Sequence, residues 1–269
     1  MQVAWSMLRN PEPTALAAAR VLAHRAVQWP ARAARANLKP VPDDSHTSLS
    51  WDPIMAALLS QPLKGGARVG LRLAVHELVF TKGSSTEACL LTGKPDAEAG
   101  EWLDARLAAE GLKPASEVKL TYDMPQTLFA RPADEAPRLA ALALWFAAGA
   151  ELLEELRGKY QGLKPSPVRC WPHHFDIAMV VELGGGRAIA IGLSPGDEYY
   201  AQPYFYLSPY PKPDTENPPP LPPGGRWHTR GFFGAVAPAI DLLVLPDPRA
   251  GLLKILDAAF KESQRRLQA

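Results

Sequence analysis

SPVRCWPHHFDIAMVVELGGGRAIAIGLSPGDE, residues Ser166 to Glu198, decides how the chain is read. Gly184-Gly185-Gly186 offers three residues that take positive φ without steric cost, and apolar runs flank it on both sides, which is a hairpin pattern. Taken as one strand from Trp171 to Glu182, the first arm places His173 with Phe175, Ile177, Met179 and Val181. His174 then shares the opposite face with Asp176, Ala178 and Val180. Arg187 to Leu193 forms the returning arm. A register symmetric about Gly185 sets His174 and Asp176 opposite Gly196 and Ser194, with Asp197 and Glu198 close by.

Beyond the hairpin, Tyr199, Tyr200, Tyr204, Phe205 and Tyr206 form an aromatic run. As a third strand it divides into Tyr204 and Tyr206 on one face and Phe205 and Leu207 on the other. From Pro209 to Pro223, 8 of 15 residues are proline, a stiff and partly polyproline II segment able to fold over a site or dock a partner. His228 follows in GRWHTRGFFG. A last helix begins near Asp247-Pro248, with Leu252, Leu256, Phe260 and Leu267 on its buried side.

Upstream, Leu139, Leu142, Phe146, Leu153 and Leu156 mark one buried stripe of a long helix from Ala133 to Arg157. Before it lie a short extended piece from Val118 to Tyr122 and a helix from Asp96 to Glu110 stopped by Gly111. Lys82-Gly83-Ser84-Ser85 turns the chain into a strand from Thr86 to Leu91. The alternation of Val69, Leu71, Leu73 and Val75 against Arg68, Arg72 and His76 predicts a strand with a wet face that includes His76. Near the start, Thr14 caps a helix that Pro30 interrupts, and Arg20, Arg25, Arg32 and Arg35 read as its solvated side. The loop at Asp43, Asp44 and His46 holds the best site candidate of this half, His46, although Asp43 and Ser45 suit turn amides equally well.

The expected fold is therefore α+β: mainly antiparallel sheet built from hairpins and packed against several α-helices. It forms one compact domain over 1-269, with possible halves 1-132 and 133-269 sharing a core. The charge is nearly balanced, 29 basic against 28 acidic residues, which excludes the overall footprint of a nucleic-acid binder. Cys89 and Cys170 lie far apart within apolar runs, as suits two buried thiols in a reducing compartment. No secretory signal or membrane-length apolar run is read, so a cytoplasmic protein that binds no membrane is expected.

The histidines, the acids and the long helix before them resemble a bacterial family of domains of unknown function. The resemblance rests on SPVRCWPHHFDIA (Ser166 to Ala178) and SPGDEYYAQPYFYLSPYP (Ser194 to Pro211), with weaker agreement from Trp51 to Leu112. It implies an α+β fold and no particular activity.

Three functions follow from the residues. In a metal-dependent hydrolase acting on a small ester, amide or phosphate, His174, Asp176, Glu198 and His228 would hold Zn, Fe or Mn. Asp197 or Glu198 would move the proton, and His46, His173, Tyr200 and Tyr204 would contact the substrate. A non-catalytic module would instead hold a small molecule or a protein on its Tyr/Pro-rich surface. A metal-free enzyme would use His174 as a base oriented by Asp176, with Ser194 as nucleophile. The triple glycine lacks the lysine and spacing of a phosphate loop and the following helix of a dinucleotide site, so no nucleotide cofactor is expected.

Overall fold

The computed structural model describes residues 3–120, 122 and 135–268, which divide into two compact units. The fold is α+β, with every strand pairing inside each unit antiparallel. Among the described residues no helix is long and apolar enough to cross a membrane.

One unit contains the described residues of 16–143 together with 169–175. Its helices are α1 (Ala17–Ala26), α2 (Gln28–Asn37) and α3 (Asp96–Ala109). Its strands are β1 (Leu49–Asp52), β2 (Ala57–Ser60), β3 (Arg68–Arg72), β4 (Glu77–Lys82), β5 (Ser85–Leu90) and β6 (Arg169–Trp171), ordered β6-β1-β2-β3-β4-β5. Lys82 pairs with Ser85, leaving Gly83-Ser84 as the expected tight turn with Gly83 at φ 59°. α3 also lies where its pattern placed it, with Pro95 as its N-cap and Asp96 in its first turn. The Asp96 carboxylate accepts from Trp29 Nε1 at 3.0 Å and from Arg25 at 3.3 Å, and Trp29 lies so close to Gly100 that an added Cβ would fall 2.7 Å from its ring.

Three expectations are corrected here. The helix breaks ahead of Pro30 rather than at it: α1 ends at Ala26, whose carbonyl Pro30 has no N–H to bond, and Pro30 itself stands in the first turn of α2, where no intrahelical donor is needed. The arginines are not a freely solvated face. Arg25 bonds Asp96, Arg35 pairs with Asp44 at 3.4 Å, and Arg32 lies 4.8 Å over the Trp29 ring with its pKa lowered by desolvation. His76 is wholly buried rather than wet, because β3 ends at Arg72 and the chain turns through 73–76, with His76 at φ 53°.

The other unit contains the described residues of 1–15, 144–168 and 176–269. Its strands β7 (Asp176–Gly184), β8 (Arg187–Ser194), β9 (Tyr204–Tyr210), β10 (Arg226–His228) and β11 (Gly234–Pro238) are ordered β10-β11-β9-β8-β7. Ile177 pairs with Leu193 and Met179 with Ile191, the register symmetric about Gly185 that the glycines announce. All three glycines have positive φ. Ile177, Met179, Val181, Ile189, Ile191, Leu193, Phe205 and Leu207 are buried, as a packed sheet face requires.

Helix α4 (Glu135–Lys159) contributes its residues from Leu144 onward; Ala133 and Asp134, where it was expected to begin, lie outside the described residues, as does Thr121 of the expected extended piece. At Gly149 it comes so near β8 that an added Cβ would lie 2.6 Å from Leu193 Cδ2. The short α5 (Ala239–Leu243) follows β11, and α6 (Pro248–Gln268) packs on β9 and β11 through Leu252, Ile255, Leu256, Ala259 and Phe260. The Phe260 ring stacks on Tyr160 at 4.3 Å. Both cysteines are buried thiols, neither in a disulfide.

Candidate functional site

After β8, Gly196 takes φ 113° and the chain enters a loop organised by Asp197. Its Oδ1 accepts from the amides of Tyr199 at 2.8 Å and Tyr200 at 3.0 Å, while its own amide donates to the Tyr200 carbonyl at 2.8 Å. An aspartate used this way fixes a turn through its side chain. Oδ2 accepts from the Tyr204 hydroxyl at 2.5 Å. Desolvation, with Asp197 as acceptor, raises the Tyr204 pKa and keeps it a donor.

This loop holds Tyr199 and Tyr200 beside His228 at the end of β10. The Tyr200 hydroxyl lies 3.0 Å from His228 Nδ1, and His228 Nε2 bonds the Arg230 carbonyl. A carbonyl only accepts, so Nε2 carries the hydrogen and Nδ1 accepts from Tyr200 in the neutral ring. Desolvation raises the Tyr200 pKa, consistent with its donor role. The imidazole also stacks on Phe232 at 4.2 Å, and Tyr199 stands edge-on to it at 5.1 Å and 72°.

Together Glu198, Tyr199, Tyr200, His228, Arg230 and Gly231 line a hollow of about 540 Å³, a size common among small-molecule sites. Among the described residues, the Glu198 carboxylate and the Arg230 guanidinium have no partner. Gly231 has φ 82°, and an added Cβ would fall 2.8 Å from Tyr199 Cζ. Gly231→Ala is therefore expected to turn the Tyr199 ring out of place and to lower stability by about 1–2 kcal/mol. Urea unfolding and the aromatic proton resonances of Tyr199 check this; an unmoved ring would contradict it.

A second polar array lies on the same sheet. Tyr206 donates to Asp176 Oδ2 at 2.5 Å, and Asp176 is buried. Desolvation and this carboxylate push the Tyr206 pKa well up. Ser194 is buried and accepts from the Gly196 amide at 3.1 Å, so its hydroxyl serves the loop entry.

Of the expected site residues, the hollow gathers Glu198, Tyr200 and His228, with Asp197 and Tyr204 supporting it from behind. The others go elsewhere. His46 is buried in its loop, where its Nδ1 accepts the Val41 amide at 3.4 Å; Asp43 accepts the Ser45 amide, which lowers its pKa. His173 and His174 do not face opposite sides of a strand. Residues 172–175 form a turn between β6 and β7, and the two rings lie side by side, 4.1 Å apart and exposed. Desolvation, with His174 adjacent, lowers the His173 pKa.

The four expected metal ligands show a different donor set. His174 belongs to the unit of 16–143, Asp176 holds Tyr206, and His228 has both nitrogens engaged. Among the described residues, no three or more His, Cys, Asp or Glu are grouped so as to hold an ion.

The proline-rich segment is tied down at three points. Arg266 donates to the carbonyls of Asp214 at 2.6 Å and Glu216 at 3.0 Å, and Trp227 Nε1 donates to the Pro219 carbonyl at 2.7 Å. Arg230 and Gly231 are site residues that the sequence reading missed. Only the glycine beside His228 in HTRGFF signalled a special backbone there. Comparison of the chain with protein-family models, with curated proteins and with solved structures returns no match.

Proposed function

We propose that the chain is a binding module that holds a small polar ligand in the hollow of Glu198, Tyr199, Tyr200, His228, Arg230 and Gly231, without turning it over. One observation carries this reading: Asp197 and His228 are committed to bonds within the fold, whereas Glu198, Arg230 and the Tyr199 ring are left to meet a ligand. Asp197 has both carboxylate oxygens bonded, and His228 has both ring nitrogens bonded. Three acceptor positions of the Asp197 carboxylate are taken by Tyr199, Tyr200 and Tyr204 and both nitrogens of the neutral His228 ring are bonded, so neither is set up as a general base. Glu198 has no partner among the described residues to orient it as one. Tyr199, 39% exposed, instead presents a flat ring beside a free carboxylate and a free guanidinium.

Binding of this kind stabilises the folded state by mass action. A screen of small polar compounds by thermal unfolding should find ligands that raise Tm, remain chemically unchanged on prolonged incubation, and lose most of their effect with Tyr199→Ala. Consumption of the compound, or a shift indifferent to Tyr199→Ala, would overturn the proposal.

A further inference from the structure

We infer that the ligand of this hollow is a carbohydrate, a neutral pyranose presented alone or within a short chain. The inference rests on the hollow being a binding site and adds the chemistry of its occupant.

The aromatic geometry selects a ligand with one apolar face. His228 is covered on one side by Phe232, with 24° between the rings, while Tyr199 stands at 72° to His228 and 70° to Phe232. Tyr200 is tilted by 57° to His228. His228 and Phe232 stack directly on each other and Tyr199 stands across both, so these three rings leave no parallel slot in which a flat heterocycle is sandwiched. A single exposed tyrosine face instead suits the C–H face of a sugar ring, whose weakly positive hydrogens meet the negative face of the π-system.

The rim selects the rest of the molecule. Glu198 only accepts hydrogen bonds and Arg230 only donates them, and both line the same hollow. A sugar hydroxyl donates and accepts at one oxygen, so neighbouring hydroxyls satisfy a carboxylate and a guanidinium together, the latter through its fixed fork of donors. An anion would gain Arg230 and meet repulsion from Glu198; a cation would meet the reverse. An apolar ligand would desolvate both charges with nothing in return. A neutral polyol uses both.

Isothermal titration of the full chain with cellotriose, maltotriose, xylotriose and chitotriose tests this, with AMP and benzoate as charged, flat comparators. At least one oligosaccharide should bind saturably with an affinity little changed by salt, because a neutral ligand releases no counterions. Tyr199→Ala and Arg230→Ala should each weaken it about tenfold. Unchanged far-ultraviolet dichroism and Tm would show that these surface variants fold. Binding of AMP or benzoate but of no oligosaccharide, abolished by Tyr199→Ala, would overturn the carbohydrate assignment and leave the binding site standing. Sugar binding that survives both variants would overturn the assignment of sugar to this hollow. Silence from all six probes would count against the sugar and against the hollow as a small-ligand site.

Discussion

Gly192→Val is expected to lower the unfolding free energy by about 3 kcal/mol, the net of overpacking and a lost buried hydrogen bond against a gain in strand preference. Gly192 in β8 lies directly opposite Tyr206 in β9. An added Cβ would sit 2.6 Å from Tyr206 Cζ and Oη and 2.7 Å from Cε1, so the phenol ring lies flat across the glycine. That posture lets the hydroxyl reach Asp176 at 2.5 Å. A valine must push the ring away, and the buried carboxylate then loses a donor. Urea unfolding followed by circular dichroism gives the free energy. Because the two side chains would compete for one space, Gly192→Val combined with Tyr206→Leu should cost at least about 1 kcal/mol less than the sum of the single changes. Strict additivity, or an unaffected Gly192→Val, would mean that the ring does not depend on the glycine.

The same chemistry explains which parts of the fold were legible. Where a turn used glycine, the sequence announced it: Gly184 to Gly186 and Gly83 all take positive φ, and the strand registers follow from them. The turns at 53–56, 73–76 and 172–175 end on Ala56, His76 and Phe175, with φ of 48°, 53° and 56°. A left-handed conformation at such residues costs about 1–2 kcal/mol, so nothing local advertises it. At His76 and Phe175, though not at the exposed Ala56, burial compensates, and burial is non-local: Phe175 is enclosed and stacks on His24 at 5.2 Å. Alternation therefore seemed to run through these turns, which put His76 on a wet face and His173 and His174 on opposite sides.

The site divides along the same line. Asp197 and the tyrosines were visible because they form one continuous run, and the split of Tyr204 and Tyr206 from Phe205 and Leu207 needed only the period of a strand. Arg230 and Gly231 were not visible, because the pairing of β11 with β9 and of β10 with β11 brings them to residues 198–200 from beyond the proline-rich segment. That pairing is a tertiary fact. The proline segment gave no hint of its own anchoring either, since Arg266, its main tether, lies some fifty residues downstream.

Lowering the pH from 7 to 4.5 should cost the chain about 2 kcal/mol more than it costs His24→Gln, because the neutral form of His24 is built into the turn that presents His173 and His174. His24 Nε2 donates to the Pro172 carbonyl at 2.9 Å, which also accepts from Gln28 Nε2 at 2.8 Å, and the ring stacks on Phe175. Burial, chiefly, pushes its pKa from 6.5 down to about 4; the Pro172 bond opposes this, and Arg20, His174 and His173 add to it. In the unfolded chain the same imidazole titrates near 6.5. Between those two values the unfolded state binds the proton and the folded state does not, so stability is full above pH 6.5 and falls as the pH drops towards 4. A depression of this size corresponds to about 3 kcal/mol at full effect, reduced here because the ring is not wholly enclosed and the range stops at pH 4.5. Glutamine does not titrate and its amide can donate to Pro172, so subtracting the two pH profiles of unfolding free energy cancels the carboxylates common to both. Parallel profiles would show that His24 is protonated in the folded turn, which its bonded and stacked ring argues against.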